Sequence, residues 1–244
     1  MTAAMLRNHS PCDLHVRGQN RLLNLLPEAE REALSRHMQK LALKQGLVLQ
    51  EPGSDVPHVY FPLDCIVSQV LHMEDGAVVE VGTIGNEGIV GLSLVLSSRQ
   101  GTTTMMAQVP GDAYRICAED LRTVMGRRGA LSELLLRYAQ AHLALVAQTA
   151  ACNSLHQVDQ RLCRWILMTH DRIGLDRLPL TQEFLGMMLG VRRGSVNIAA
   201  GMLQTAGLIN YKRGVIEVLD RAGLEAAACE CYAAVRKEME RLLC

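Results

Sequence analysis

Two kinds of periodicity divide the hydrophobic pattern of this chain. Between Leu41 and Ile116, short β-rich runs alternate with turn residues, and Asp75-Gly76 separates two of these runs as a tight hairpin turn would. Many short strands at regular spacing predict a sandwich or a barrel. From Ala118 onward the apolar residues recur at helical spacing. The pattern therefore predicts an α+β chain whose β-domain comes first.

The residues before the β-region predict a leader and one helix. Residues 1–20 show little periodicity and are predicted to be a leader. Pro27, followed by Glu28 and Glu30, is typical of a first helical turn, because the ring suits that position and the acids face the positive end of the helix dipole. We expect this helix to continue to about Gln39.

A long helix is predicted from Ala130 to about Leu155, where the chain contains no Gly or Pro. This length exceeds that of an ordinary helix. An amphipathic helix of this kind between two domains is either a core helix or one side of a coiled-coil dimer. We favour the dimer and place its seam on one flank of the helix, which comprises Leu131, Leu134, Leu135, Tyr138, His142, Leu145 and Thr149.

Residues 181–204, TQEFLGMMLGVRRGSVNIAAGMLQ, fit the template of a helix-turn-helix. Gly186 falls where two helices meet closely, and Gly190 falls at the turn, where a positive φ is required. The second helix is expected to begin near Arg192 or Arg193, so that its first residues reach base edges in the major groove. The predicted buried positions are Leu185, Leu189, Val191, Val196 and Ala199.

A hairpin wing and a further helix are predicted after this motif. Residues 208–211 and 215–219 have β-like composition, and Lys212-Arg213-Gly214 forms a basic turn between them. The tip of such a wing can lie against the phosphate backbone of DNA. Residues 221–244 predict one additional helix whose inner stripe is Leu224, Ala227, Cys231, Val235, Met239 and Leu242.

Charge is segregated into the same part of the chain. The chain as a whole has a net charge of zero, yet residues 177–214 contain five basic residues and one acidic residue. A local basic patch attracts phosphate whatever the total charge. Arginine side chains can also pair with guanine, and a helix start can offer its amides to phosphate. The predicted DNA-binding residues are Thr181, Gln182, Arg192, Arg193, Ser195, Asn197, Lys212 and Arg213.

Composition and spacing argue against several other classes of protein. The sequence has no apolar run of about 18 residues that could span a bilayer and opens on no signal peptide, so we expect a cytoplasmic protein without a membrane partner.

Its eight cysteines form no CxxC pair and no zinc-finger spacing, so no metal site is expected. Cys229 and Cys231 are interpreted as independent thiols, because helix positions two apart face different directions. Ser154, His156 and Asp159 lack an oxyanion signature, so we expect no enzyme activity.

The chain resembles the Crp/Fnr superfamily of bacterial transcription regulators over nearly its whole length. LALKQGLVLQEPGS is similar to the opening strands of the family's β-roll, AVVEVGTIGNEGIVGLSLVL to the strands around its effector pocket, and LTQEFLGMMLGVRRGSV to its DNA-reading motif. The resemblance implies a cyclic-nucleotide-binding-like β-roll (a jelly roll) in residues 21–129, a dimerisation helix in 130–156 and a winged helix-turn-helix in 157–244. It also implies a homodimer on a palindromic operator of double-stranded DNA, with recognition helices about 34 Å apart, and RNA polymerase as a candidate partner.

The effector pocket departs from the family pattern. Nucleotide-binding members place Gly-Glu in the pocket turn and an Arg shortly afterwards, whereas this chain has Gly91-Leu92 and then Gly101-Thr102-Thr103, with Arg99 offset. An uncompensated buried phosphate is costly, so cyclic AMP is not expected in its usual mode. Only Cys12 lies near the N-terminus, where oxygen-sensing members have a cysteine cluster, so no iron–sulfur centre or other cofactor is expected. The pocket residues that the resemblance implies are Gly85, Glu87, Gly91, Leu92, Arg99, Thr102 and Thr103.

Two functions remain open at this point. Gly194 and Ile198 stand where the family usually has Glu and Arg, so the operator is expected to differ from that of the best-known relatives. We favour a dimeric, sequence-specific DNA-binding regulator whose effector pocket controls the spacing of its recognition helices. The alternative is a ligand-binding regulatory module that acts through protein contacts without binding DNA.

Overall fold

The computed structural model describes residues 18–126 and 129–243 of the chain. Most of the predicted leader, together with Cys12 and Cys244, lies outside the described residues. Helix α1 (Arg21–Asn24) begins after Asn20, whose side chain accepts a hydrogen bond from the Leu23 amide. Such an N-cap satisfies a helical N–H that would otherwise lack a partner.

Helix α2 (Glu28–Ser35) begins after Pro27 as expected, but its predicted extension to Gln39 is wrong. Gln39 opens strand β1 (Gln39–Leu43), which pairs in antiparallel register with β7 (Gly111–Cys117). The ladder supplies the backbone hydrogen bonds that a longer helix would have supplied. Sequence periodicity alone does not separate the end of a helix from the start of a half-buried strand.

Among the described residues, seven strands form the two antiparallel sheets of an N-terminal β-roll. The first sheet has the order β1-β7-β3 and the second has the order β2-β6-β4-β5. The remaining strands are β2 (Val48–Gln50), β3 (His58–Pro62), β4 (Ile66–His72), β5 (Val78–Ile84) and β6 (Thr104–Val109). Two short helices accompany the sheets, α3 (Leu92–Val95) and α4 (Ala118–Met125).

Helix α5 spans Ala130–Leu155, the bounds that the absence of Gly and Pro predicts. Its first turn is capped from a distance, because the Glu30 carboxylate accepts hydrogen bonds from the amides of Ala130 and Leu131, each at 2.9 Å. A carboxylate at this end also complements the helix dipole. In the described part of the chain, no helix is both long and apolar enough to cross a membrane.

The predicted dimer seam of α5 is wrong. All seven of its residues are buried within the protomer, where Tyr138 and Leu145 belong to the core that also contains α2 and α3. The opposite flank is exposed instead, with Leu136 at 55% and Leu143 at 60%. We call this surface the exposed flank of α5; it comprises Leu136, Gln140, Leu143, Ala147, Ala150 and Ser154.

The segment after α5 contains the predicted helix-turn-helix and a three-stranded sheet. The sheet has the order β8-β10-β9, so β8 adds a strand that the sequence analysis did not identify. The elements are α6 (Val158–Ile173), β8 (Arg177–Pro179), α7 (Gln182–Leu189), α8 (Arg193–Thr205), β9 (Ile209–Lys212) and β10 (Val215–Val218). The hairpin β9–β10 is the predicted wing.

The C-terminal tail forms two helices rather than the single predicted one. Helix α9 (Arg221–Ala227) ends before Ala228, and α10 (Cys231–Leu243) begins three residues later. Helix α10 packs mainly along α5 and also contacts α6. Its apolar residues Val235, Met239, Leu242 and Leu243 belong to the same core as the buried flank of α5.

Candidate nucleic-acid interface

Helices α7 and α8 meet at a turn that depends on two glycines. Gly190 ends α7 in the left-handed region with φ at 61°, a conformation that glycine adopts without strain. A Cβ at Gly186 would lie 3.0 Å from the Val191 carbonyl oxygen, so a larger residue would push the helices apart. Both sequence predictions for these glycines are confirmed.

The inner faces of the two helices pack into one core with α6. The predicted buried residues Leu185, Leu189, Val196 and Ala199 are each no more than 3% exposed. Val191, at the turn, is half-buried. Because the apolar positions face inward, the other side of α8 is held toward solvent.

The basic start of α8 lies on this outward side. Arg192 is the N-cap residue and its side chain makes no capping hydrogen bond. Arg192, Arg193 and Asn197 are exposed, and Ser195 is half-buried. The Nε of Arg193 donates to Gln182 Oε1 at 3.4 Å, so α7 and α8 present these side chains together. The exposed guanidinium groups carry only donors, which a base or a phosphate can accept.

Two large apolar residues share this outward face: Ile198, at a position that the resemblance assigns to the DNA-reading surface, and Met202, which the sequence did not single out. Ile198 is 69% exposed and Met202 is 54% exposed. They are four positions apart, so they lie on one side of α8. The buried residues Val196, Ala199 and Leu203 recur at helical spacing. Ile198 and Met202 do not fit that spacing, so the sequence pattern could have placed them on the exposed side of α8.

The wing brings its basic tip close to the start of α7. Arg213 and Gly214 both have positive φ values, of 51° and 75°, which make the tight turn between β9 and β10. The hydroxyl of Tyr211 donates to the Leu180 carbonyl oxygen at 2.8 Å and fixes the hairpin against α7. Lys212 and Arg213 are exposed. The wing tip is therefore a positively charged edge beside the start of α7.

A cleft of about 380 Å³ lies between the wing and the two helices. Four of the eight predicted DNA-binding residues line it: Thr181, Gln182, Arg193 and Arg213. Thr181 is also the N-cap of α7, and its hydroxyl oxygen accepts from the Phe184 amide at 3.2 Å. The other four predicted residues, Arg192, Ser195, Asn197 and Lys212, lie outside the cleft, on α8 and on the edge of the wing.

The helix-turn-helix is held against the β-roll and α6. The guanidinium of Arg161 on α6 donates to the carbonyl oxygen of Leu189, the last residue of α7. Val79 of β5 lies directly against Gly190. The Met188 sulfur lies 3.4 Å from the Ser68 hydroxyl oxygen of β4. The C-terminal end of α7 and its turn toward α8 are thus in contact with side chains of α6 and of the N-terminal sheet.

A buried carboxyl group lies at this junction. Glu80 of β5 accepts a hydrogen bond from the Trp165 indole of α6 at 3.0 Å and lies 2.7 Å from the Ser68 hydroxyl oxygen. Ser68 is also 2.7 Å from Gln108 Oε1. One hydroxyl proton cannot serve two acceptors. Exchange of the oxygen and nitrogen of the Gln108 amide, whose Nε2 lacks a partner, would remove the conflict, and so would a protonated Glu80 that donates to Ser68. Burial raises the pKa of Glu80 to about 7, consistent with that arrangement.

The structure distributes the predicted effector-pocket residues among different contacts. Glu87, beside Gly85, forms a buried ion pair with Arg172 of α6. Gly91 packs against Val59, and Leu92 is buried in the apolar core. The carbonyl oxygen of Arg99 accepts from the Val56 amide. Thr103 is buried and Thr102 is exposed.

Buried polar side chains connect α5 with the second sheet near Thr103. His142 Nε2 lies 2.7 Å from Gln69 Oε1, and Gln69 donates to the Thr103 hydroxyl oxygen at 3.1 Å. Gln50 donates to the Thr103 carbonyl oxygen at 3.1 Å. Burial lowers the pKa of His142 to about 4, so its imidazole is neutral at physiological pH. The protein's own amides occupy this space between helix and sheet.

The only cluster of potential metal ligands among the described residues lies at the end of α5. Cys152, His156, Cys229 and Cys231 place their donor atoms within 4.8 Å of one another. Sequence analysis interpreted Cys229 and Cys231 as independent thiols and expected no metal site. The structure brings both thiols together, because the chain between α9 and α10 is not helical.

Comparison with known proteins agrees with this geometry. Residues 160–227 match the family model of the Crp-like helix-turn-helix domain, so this segment has that domain. No curated protein sequence is significantly similar to the chain.

Solved structures share the fold over most of the chain. A protein from Eubacterium rectale assigned to the Crp/Fnr family of transcriptional regulators has 20% identity and a TM-score of 0.64, covering 84% of this chain and 96% of that one. FixK2 from Bradyrhizobium japonicum has 15% identity and a TM-score of 0.65, covering 79% and 98%. The c-di-GMP responsive regulator CLP of Xanthomonas campestris has 16% identity and a TM-score of 0.59, covering 80% and 100%. The chain therefore has the β-roll, long helix and C-terminal helix-turn-helix arrangement of Crp/Fnr regulators.

Proposed function

We propose that this protein is a sequence-specific DNA-binding transcription regulator of the cytoplasm. The observation that carries the proposal is the shared outward surface of α8 and the wing, where Arg192, Arg193 and Asn197 are exposed beside the basic tip at Lys212 and Arg213. Phosphate contacts from the wing and from α7 would set the register on DNA, and α8 would read bases in the major groove. RNA polymerase is a candidate partner of the bound protein.

The recognition surface favours a particular kind of base contact. Ile198 and Met202 are large apolar side chains held in water on α8. The major groove offers one apolar feature, the methyl group of thymine. We therefore propose that the operator has thymine opposite Ile198 and Met202, with guanine or phosphate opposite the arginines.

The exposed flank of α5 is the surface on which we place a homodimer. Its residues are separated by four, three, four, three and four positions, which is the heptad spacing of a coiled-coil seam. Leu136 and Leu143 would supply apolar contacts, while Ala147 and Ala150 would let two helices approach closely. A two-fold dimer would present two copies of α8 to a palindromic operator, about 34 Å apart.

Control by an effector would act through the contacts between the β-roll, α5 and α6. Oε1 of Glu87 is paired with Arg172, and Leu92 is buried where nucleotide-binding relatives have a Glu. We therefore do not expect cyclic AMP to bind in its usual mode. An effector that changed the packing of Glu87 or His142 would move α5 or α6, and with them the helix-turn-helix.

Selection of genomic DNA fragments by the purified full-length protein tests this function. Fragments bound at physiological salt are sequenced, with and without a small-molecule extract of the source cells. The proposal expects enrichment of one inverted repeat whose half-sites are one helical turn apart. Recovery of fragments without a shared motif, or of none, contradicts it and favours the alternative of a regulatory module that acts through protein contacts.

A further inference from the structure

We propose that Cys152, His156, Cys229 and Cys231 form a structural zinc(II) site that joins the end of α5 to the start of α10. Cys152 Sγ lies 3.5 Å from Cys229 Sγ, Cys231 Sγ lies 3.5 Å from His156 Nδ1, and all four donor atoms lie within 4.8 Å of one another. Tetrahedral zinc with ordinary Zn–S and Zn–N bonds separates its ligand atoms by about 3.5 Å. The four donors are therefore close to the arrangement that the ion requires.

Local backbone geometry explains how the four ligands converge. Cys152 and His156 are four residues apart at the end of α5, so they share one face of the helix. Cys229 and Cys231 flank Glu230 where the chain is extended after Ala228 and then enters α10. Both thiols can face inward from this bend, although they could not from a continuous helix.

The hydrogen bonds around the ligands are those of a metal site. The His156 Nε2 lies 3.2 Å from a carboxylate oxygen of Glu230. That contact places the ring proton on Nε2 and leaves Nδ1 as the metal-binding atom, as in carboxylate–histidine–zinc triads. Gln148 also donates from its side-chain nitrogen to Cys231 Sγ at 3.0 Å.

Two buried arginines supply an independent observation. Arg161 and Arg164 are 6% and 5% exposed, and among the described residues neither forms an ion pair with a carboxylate. The Nε of each lacks a hydrogen-bond partner. Arg161 has the thiols of Cys152 and Cys229 among its charge neighbours, whereas Arg164 lies near both Cys152 and the carboxyl group of Glu80. Buried charges without a counter-charge are costly.

Zinc binding would place a negative charge beside Arg161. The ion displaces one proton from each of the three thiols, and one divalent cation with three thiolates and a neutral imidazole has a net charge of −1. That charge would lie beside two buried guanidinium groups. Four protein ligands leave no open position, which is typical of a structural site rather than a catalytic one.

At this position, a bound ion would hold neighbouring helices together. It would fix α10 along α5 and order the bend between α9 and α10. Arg161, beside the thiols, also donates to the last carbonyl of α7. Loss of the ion would therefore loosen the attachment of the helix-turn-helix to the long helix.

The first test uses the unmodified full-length protein, purified under reducing conditions without added chelator. Elemental analysis is expected to find about one zinc ion per chain. After removal of the ion, Co²⁺ should restore the site and give visible bands of tetrahedral cobalt together with near-ultraviolet thiolate-to-cobalt charge transfer. Zinc well below one per chain even after incubation with Zn²⁺, absence of the charge-transfer band, or a Cys152–Cys229 disulfide in its place would overturn the proposal.

The second test uses variants whose folding is checked by circular dichroism. Glu230 is on the surface, so Glu230→Ala should fold normally and weaken zinc affinity by about 10- to 100-fold through loss of its contact with His156. Glu238→Ala removes a half-buried acid of α10 that pairs with Arg241 rather than with the cluster; it is the control and should leave the affinity unchanged. His156→Cys should retain the metal with a stronger cobalt charge-transfer band. Equal affinity in the Glu230→Ala and wild-type proteins would contradict the assigned contact with Glu230, and an unchanged cobalt spectrum in His156→Cys would contradict the assigned ligand.

Discussion

Glu87 and Arg172 form a buried ion pair that connects the β-roll to the helix preceding the helix-turn-helix. The Nη2 and Nε atoms of Arg172 donate to Oε1 of Glu87 at 2.7 and 2.9 Å. Burial alone would raise the pKa of Glu87, but the charge and hydrogen bonds of Arg172 more than offset it and hold that pKa below its ordinary value. Removal of either partner would leave an uncompensated charge in the protein interior.

We expect Arg172→Met to lower the free energy of unfolding by about 3–5 kcal/mol, because the Glu87 carboxylate then remains buried without its partner. Glu87→Gln combined with Arg172→Met should recover much of that loss, since the orphaned charge is gone. Urea denaturation of the wild type, both single variants and the double variant measures the coupling. Additive losses in the double variant would contradict an interaction between the two side chains.

Glu80 predicts a stability difference that depends on pH. Its pKa is about 7 in the folded protein and 4.5 as an ordinary carboxyl group, so the native state binds more protons between these values. The wild type should therefore lose stability as the pH rises from about 4.5 to 7, by up to about 3 kcal/mol from this group. Glu80→Gln keeps a neutral donor toward Ser68 and should not show that loss.

The measurement for Glu80 is denaturant unfolding of both proteins between pH 5 and pH 8. The advantage of Glu80→Gln over the wild type should grow with pH and level off above neutrality. Comparison of the two proteins at each pH cancels the opposite contribution of His142, whose lowered pKa destabilises the native state as the pH falls. A difference that is constant with pH would show that Glu80 titrates normally.

Two glycines should respond to alanine in opposite directions. A Cβ at Gly88 would overlap the phenol ring of Tyr138, whereas a Cβ at Gly201 on α8 would meet nothing within 4 Å. Gly88→Ala should destabilise the protein by about 1–3 kcal/mol through overpacking. Gly201→Ala should stabilise it by about 0.5–1 kcal/mol, because alanine favours a helix interior. Thermal or urea unfolding of the two variants decides both signs, and a stable Gly88→Ala protein would contradict the packing of α5 on the β-roll.

The exposed flank of α5 predicts the oligomeric state. Leu136→Glu with Leu143→Glu should convert a dimer to a monomer in sedimentation velocity, because the acids of two copies would face each other across the seam. Leu96→Glu is the control, since Leu96 is 52% exposed on another part of the surface. A wild-type monomer, or a dimer that survives the double substitution, would contradict the assignment of this flank.

Helices and turns that are determined by residues within their own segment could be predicted from the sequence. The absence of Gly and Pro between residues 130 and 155 defines α5, and the spacing of Gly186 and Gly190 defines the crossing of α7 and α8. The basic wing also follows from local composition, because Gly214 between two β-like runs favours a tight turn with positive φ.

The sequence predictions that were wrong concern features that depend on contacts between residues far apart in the chain. The apolar spacing of α5 fits either flank, and the choice is settled by α10, which packs there from the far end of the sequence. Strand β8 has three residues including Pro179, too few to show alternation. The cysteine cluster joins residues 152 and 229, and its ligands match no contiguous metal motif. Local sequence patterns predict helices and strands, but tertiary contacts decide which face of each element is buried.

The central claim is that α8 and the wing bind DNA through their exposed basic residues, and a salt titration of DNA affinity tests it most directly. Fluorescence anisotropy with an enriched genomic fragment should show affinity that falls steeply with salt. Arg193→Gln should weaken binding and relax the sequence preference, and Arg213→Gln should reduce the salt slope by about 1. Lys237→Gln, the same loss of charge on α10, should change neither. Absent or salt-independent binding by the wild type, or equal losses in Lys237→Gln and Arg193→Gln, would contradict the account.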